Sequence, residues 1–209
     1  MVARALGELA SGDWPLHAIE IPSEPSGRPY ARLAPQAGPL AGFAPGERLP
    51  VSVSISHFEG HALCAAALAG PGQKTLGIDL GPVEPRSDGF VRLFFTEDEQ
   101  QFVKDAPAPE RGLRANLVWC AKEAVLKVLG VGLTVDTVNL CCLPAGGTAD
   151  PAEWPLRPRG LWRPFLATCG TTLVPGGGTV HGIWRSFSGY VGALASGPSL
   201  SETEVATRL

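Results

Sequence analysis

A chain of 209 residues, 44% apolar and 18% charged, is long enough to bury a core as one domain or two small ones. Its formal net charge of −3 argues against a general nucleic-acid binder, which carries a basic surplus. The 26 Gly and 20 Pro imply many loops, and five Cys without regular spacing argue against a disulfide framework.

The start, Met1-Val2-Ala3-Arg4-Ala5-Leu6, lacks the long apolar stretch of a signal peptide, and residues 1–10 read as a short helix. Asp13-Trp14-Pro15-Leu16 is a turn, and the alternation from His17 to Ile21 predicts a strand. Glu24 to Tyr30 turns into a short extended segment, followed by a Gly/Pro-rich loop from Pro35 to Pro50. Val51-Ser52-Val53-Ser54-Ile55-Ser56 is the clearest strand, with strict period-2 alternation and β-branched residues on one face. His57 to Gly60 turns. The small apolar run Ala62 to Ala69 is a buried strand or a helix, which periodicity does not separate. Thr75 to Leu80 is a strand. Thr96-Glu97-Asp98-Glu99 caps a helix over 97–104, and Asp105 to Gly112 is loop.

The next helix carries apolar residues at Leu113, Leu117, Ala121, Ala124, Val125 and Val128, and Gly130 and Gly132 stop it. Val135 to Leu143 predicts a strand and Pro144 to Pro158 a loop. No apolar run reaches a membrane span, so a cytoplasmic chain is expected. Cys141-Cys142 lacks a second Cys or His pair nearby, and His57 and His61 lie in a strand–turn region, so no zinc site is expected.

Three segments recur in order. Asp13-Trp14-Pro15-Leu16 returns as Glu153-Trp154-Pro155-Leu156, and Arg28-Pro29-Tyr30 as Arg163-Pro164-Phe165. Phe58-Glu59-Gly60-His61 returns as Phe187-Ser188-Gly189-Tyr190, each before an Ala-containing apolar run. The expectation is an α+β fold of two related halves, 1–73 and 74–196, packed as a pseudodimer about a twofold axis, with a polar tail at 197–209. Arg185 and Ser186 stand where the first half has Ser56 and His57, so a single active site at the junction is expected.

Two acids from separate elements stand out. Asp79 ends a strand, and Glu123 sits on the helix one turn before Lys127, with Lys122 about 100° round from it. Such a pair on its own is common on a solvated helix face. Two converging carboxylates would make an oxygen-ligand site for Mg²⁺, and lysines beside them would attract an anion held by the same metal. That is equipment for phosphoryl transfer.

Gly77-Ile78-Asp79 followed by Trp119-Cys120-Ala121-Lys122-Glu123-Ala124-Val125-Leu126-Lys127 resembles the signature pair of the 4′-phosphopantetheinyl transferase superfamily. Gly27-Arg28-Pro29, Ser54-Ile55-Ser56-His57 and Leu93-Phe94-Phe95-Thr96-Glu97-Asp98-Glu99 resemble its other motifs, in the order of the surfactin-type, pseudodimeric enzymes. The resemblance implies transfer of the phosphopantetheine arm of coenzyme A to a serine of an acyl- or peptidyl-carrier protein, with release of 3′,5′-ADP. It implies Asp79 and Glu123 as Mg²⁺ ligands, and Glu123 or a metal-bound water as an aid to deprotonating the serine. It further implies Lys127 on the phosphate under attack, Lys122 supporting charge nearby, and Ser56, His57 and Arg28 on the coenzyme A side. A monomer acting on carrier protein and coenzyme A is expected, without nucleic acid or membrane. Many such enzymes carry a third acid where this chain has Gly81, with Glu84 nearby as a substitute. Acidic carriers need a basic or apolar docking surface, for which Arg111 and Arg114 are candidates. The alternatives are a catalytically silent carrier-docking relative and a coenzyme A-binding phosphohydrolase.

Overall fold

The computed structural model describes residues 14–69, 75–145, 162–187 and 189–197. The expected helix at 1–10, the junction at 70–74, most of the loop at 146–158 and the tail beyond 197 lie outside the described residues, as does the Glu153–Leu156 repeat segment. The fold is mixed α and β, built on two antiparallel sheets.

The first sheet is a meander of β1 (Ile19–Glu20), β2 (Tyr30–Leu33), β3 (Arg48–Phe58) and β4 (His61–Leu68). A 3₁₀ turn, Leu16–Ala18, takes the first two residues of the strand expected over His17–Ile21, and β1 keeps Ile19 and Glu20. The run Ala62 to Ala69 is resolved as strand, because it pairs residue for residue with β3 from Val51↔Leu68 to Phe58↔His61. Such pairing satisfies its backbone groups without the side-chain bulk a free strand needs.

The second sheet has the order β5-β9-β8-β7-β6, from β5 (Thr75–Pro82), β6 (Leu140–Pro144), β7 (Arg163–Cys169), β8 (Gly178–Phe187) and β9 (Tyr190–Gly197). The three α-helices among the described residues all lie between β5 and β6: α1 (Asp88–Phe94), α2 (Glu97–Lys104) and α3 (Arg111–Leu129). The first sheet carries no α-helix among the described residues, and the helix expected in that half, at 1–10, lies outside them. Thr96 and Glu99 form the expected capping box of α2. Gly130 ends α3 with φ of 73°, the left-handed conformation that suits glycine. The strand expected from Val135 begins only at Leu140, after two 3₁₀ turns.

The second sheet is the middle layer. On one face α3 packs through Ala121, Ala124, Val125 and Val128 onto Val191, Ala193 and Ala195. On the other, Leu76, Ile78 and Leu194 meet Leu63, Ala65 and Ala67 of the first sheet. Gly77 lets the helix approach this closely, since a Cβ there would fall inside the van der Waals shell of the Ala124 carbonyl oxygen. A third cluster, around Trp14, Leu33, Leu49, Val51 and Val53, covers the outer face of the first sheet.

The two sheets are also joined along an edge. The amides of Leu76, Ile78 and Leu80 donate to the hydroxyls of Ser52 (3.2 Å), Ser54 (2.9 Å) and Ser56 (3.1 Å). Partner numbers rise together, so β5 runs parallel to β3, and serine hydroxyls stand where a neighbouring strand would supply carbonyls. Among the described residues no helix is long and apolar enough to cross a membrane.

Candidate active site

Helix α3 is buried almost all round. From Ala115 to Leu129 only Trp119, Glu123 and Lys127 escape burial. They are spaced i, i+4, i+8 and so form one line along the helix. The polar stripe expected on this helix is therefore one side chain wide and half-buried, rather than a solvated face.

Lys127 is aimed by β5. Its Nζ donates to the Ile78 carbonyl (2.8 Å) and to Asp79 Oδ1 (2.9 Å). It pairs with Asp79 rather than with Glu123, its neighbour one turn back. The same Oδ1 accepts from Ser56 Oγ (2.8 Å). Asp79 is thus held by β3 on one side and by α3 on the other. Glu123 is close enough to feel this arrangement: burial first, and the Asp79 carboxylate second, push its pKa above the ordinary carboxylate range, and Lys127 only partly offsets them. Two partly buried carboxylates in each other's field, with one lysine bonded to Asp79, carry surplus negative charge.

That donor set fits a hard divalent cation. Oxygen ligands from two carboxylates suit Mg²⁺, which keeps several waters. Glu84 does not complete a third acidic ligand: among the described residues no group of three or more His, Cys, Asp or Glu is arranged to hold a metal ion. Cys120 lies against Gly81, where a Cβ would come within 2.9 Å of its Sγ. Burial, followed by the charge and hydrogen bond of Asp79, pushes the Cys120 thiol well up, so it stays protonated. Cys64, Cys120, Cys141 and Cys142 are free thiols.

The other expected site residues do not join this group. Lys122 is wholly buried on another side of α3, paired with Glu99 at 2.8 Å and donating to the carbonyls of Thr137 (2.7 Å) and Leu140. Neighbours on a helix point about 100° apart, which carries Lys122 into the packing against α2 and β6 and away from the carboxylates. His57 lies one residue beyond Ser56, on the opposite face of β3, and is exposed. Arg28 lies near the C-terminal end of α3, with Nη1 3.8 Å from where a Cβ on Gly130 would stand. It lines a cavity of about 530 Å³ with Pro29, Phe43, Arg48 and Thr75.

Sequence reasoning missed the serine–aspartate bond: the resemblance put Ser56 on the coenzyme A side, and alternation shows which residues share a face but not what covers it. The signal was present as three serines at period 2, but their partners are amides of a strand that the sequence does not pair with them. Trp119, which opens the signature segment, is packed by Phe90 (4.9 Å) and Phe94 (5.3 Å) at the far end of the same line.

Residues 75–150 match the family model of the 4′-phosphopantetheinyl transferase superfamily. The matched segment contains Asp79, Glu123 and Lys127. No curated protein shows a significant match. Solved structures do match, among them a crystal structure of Thermotoga maritima holo-[acyl-carrier-protein] synthase, with 16% identity over 64% of this chain and 73% of that chain and a TM-score of 0.39.

A second feature lies among the helices. A groove of about 570 Å³ between α1, α2 and the start of α3 is lined by Arg86, Arg92, Lys104 and Arg111, with Asp88 as its acid. Arg86 is fixed by Asn116 Oδ1 (2.8 Å) and the Phe90 ring. Arg114 is not free to dock a partner: it donates to the Phe102 carbonyl (3.0 Å), stacks on that ring, and reaches Glu110 at 3.6 Å.

Proposed function

We propose that this protein transfers the 4′-phosphopantetheine arm of coenzyme A to a serine hydroxyl of an acyl- or peptidyl-carrier protein. The observation that carries the reading is the pairing of Asp79 on β5 with Lys127 on α3, one turn from Glu123, which joins the two segments that resemble the superfamily's signatures. The family-model match over the same segment supports it.

In this reading Asp79 and Glu123 hold Mg²⁺, which supplies charge neutralisation at the pyrophosphate of coenzyme A. The serine oxygen forms a bond to the phosphorus that bears the pantetheine arm. The bond from that phosphorus to the bridging oxygen breaks, and 3′,5′-ADP leaves with the electron pair. Glu123, or a water that the metal would hold, would help deprotonate the serine. Lys127 uses two of its three donors on Ile78 and Asp79 and has one left for a phosphate oxygen. Lys122 is assigned no catalytic part.

The cavity at Arg28 is the candidate seat for the nucleotide. The cationic groove, rather than Arg114, is the candidate docking surface for an acidic carrier. The domain division at 1–73 and 74–196 and the pseudodimer also belong to the proposal. They are supported by the two meanders, β1–β4 and β6–β9, and by the two hairpins that turn at Glu59-Gly60 and at Gly189. Action as a monomer belongs to the same proposal.

Mass spectrometry of apo-carrier incubated with the protein, coenzyme A and Mg²⁺ tests the reading. A gain of one phosphopantetheine arm is expected, and Glu123→Gln is expected to abolish it. Carrier binding without mass gain would mark a silent docking domain, and cleavage of coenzyme A without mass gain a phosphohydrolase. Either result sinks the transferase.

A further inference from the structure

The serine rungs between β3 and β5 are not equivalent. Ser52 and Ser54 accept from the backbone amides of Leu76 and Ile78. Ser56 does the same for Leu80, and its own hydroxyl proton goes to Asp79 Oδ1 at 2.8 Å. A serine hydroxyl has one proton. That of Ser56 is spent on a carboxylate, and the residue is buried. An ionised phosphate offers acceptors only, so Ser56 cannot bind it without releasing Asp79. In this geometry the Ser56 hydroxyl proton serves Asp79.

We infer that Ser56 is the positioning residue for the metal-binding carboxylate of Asp79. Two donors, Ser56 Oγ and Lys127 Nζ, converge on the same oxygen, one from each layer that flanks β5. Two bonds to Oδ1 set where that oxygen lies and hence where the other points. Ser56 is itself bonded by the Leu80 amide, so the group that orients the carboxylate is held at its own oxygen. The last rung between the sheets thus sets the aim of the site. The inference rests on the reading that Asp79 and Glu123 hold a divalent cation, and the test separates the two.

The experiment is titration of the full chain with Mn²⁺, read by the electron paramagnetic resonance of the free ion, in the parent, Ser56→Ala and Ser54→Ala. Ser54→Ala removes the same kind of rung and leaves Asp79 untouched. Loss of a hydrogen bond that orients a metal ligand weakens affinity by about 10- to 100-fold. That weakening is expected for Ser56→Ala, with Ser54→Ala at the parent value. Should Ser56→Ala not fold, Ser56→Cys keeps a similar volume with a weaker donor, and weakened affinity is expected there too. Equal affinity in parent and Ser56 variants overturns the positioning role while the metal site stands. Equal weakening in Ser54→Ala also overturns it, because the effect would then be general to the sheet junction. Failure of the parent to bind Mn²⁺ overturns both the metal reading and the inference. Affinities for coenzyme A and 3′-dephospho-coenzyme A supply a further readout, and their ratio is expected to be the same in Ser56→Ala and the parent. A ratio that collapses in the variant would return Ser56 to the phosphate side and overturn the inference.

Discussion

A Cβ at position 81 would stand 2.9 Å from Cys120 Sγ, and Cys120 is fully buried. The missing side chain at Gly81 and the thiol on α3 are therefore one packing unit. Gly81→Ala is expected to cost about 1–3 kcal/mol through overpacking. In a Cys120→Gly background it is expected to cost distinctly less. A double-mutant cycle by urea denaturation checks this, and additive costs would show that the two positions do not share the space. The same scale explains an assignment that changed. Asp79 and Glu123 were readable as a pair from residue type and context. The partner of Ser56 was not, because a hydroxyl serves an amide, a phosphate or a carboxylate equally well until its neighbours are known.

Helix α3 illustrates how an element divides adjacent residues between different tasks. Glu123 stands on the exposed line, while Lys122 anchors the helix to α2 and β6 through Glu99, whose carboxylate also accepts from the amides of Cys142 (2.6 Å) and Thr96 (2.7 Å). Burial raises the proton affinity of Glu99, but donors alone converge on it, so the geometry is that of a buried ion pair. Lys122→Met strands the Glu99 charge and is expected to destabilise the fold by about 3–5 kcal/mol. Chemical denaturation measures that loss, and divalent-cation affinity in the folded fraction is expected to stay at the parent value. A stable variant that no longer binds the cation would return Lys122 to the site. The apolar period of this helix was legible in the sequence. The narrowness of its exposed line was not, since burial on several sides comes from β5, β6, β9 and α2, which are assembled from distant parts of the chain.

Across the whole molecule, two sheets and one long helix meet at β5. That strand pairs with β9 along one edge, receives α3 at Gly77, and gives its other edge to the serines of β3. Each serine rung satisfies an amide whose orphaning costs about 1–3 kcal/mol. Ser52→Ala combined with Ser54→Ala is therefore expected to remove about 2–6 kcal/mol, a large share of a typical total of about 5–15 kcal/mol. Hydrogen exchange checks the assignment by location: the amides of Leu76 and Ile78 are expected to lose protection while that of Leu80 keeps more of it. Unchanged protection at both would mean that another acceptor serves them.

By itself the sequence determined the strands with clear alternation, the capped helix at 97–104, the stop at Gly130 and the candidacy of Asp79, Glu123 and Lys127. These depend on local periodicity, capping chemistry and residue type, which neighbours in the chain express directly. Only the tertiary structure decided that Lys127 serves Asp79, that Lys122 is buried with Glu99, that His57 faces away from the carboxylates, and that Ser56 holds Asp79. Each of these is a choice among partners of similar chemistry, and it is made by which distant strand or helix lies within hydrogen-bond reach.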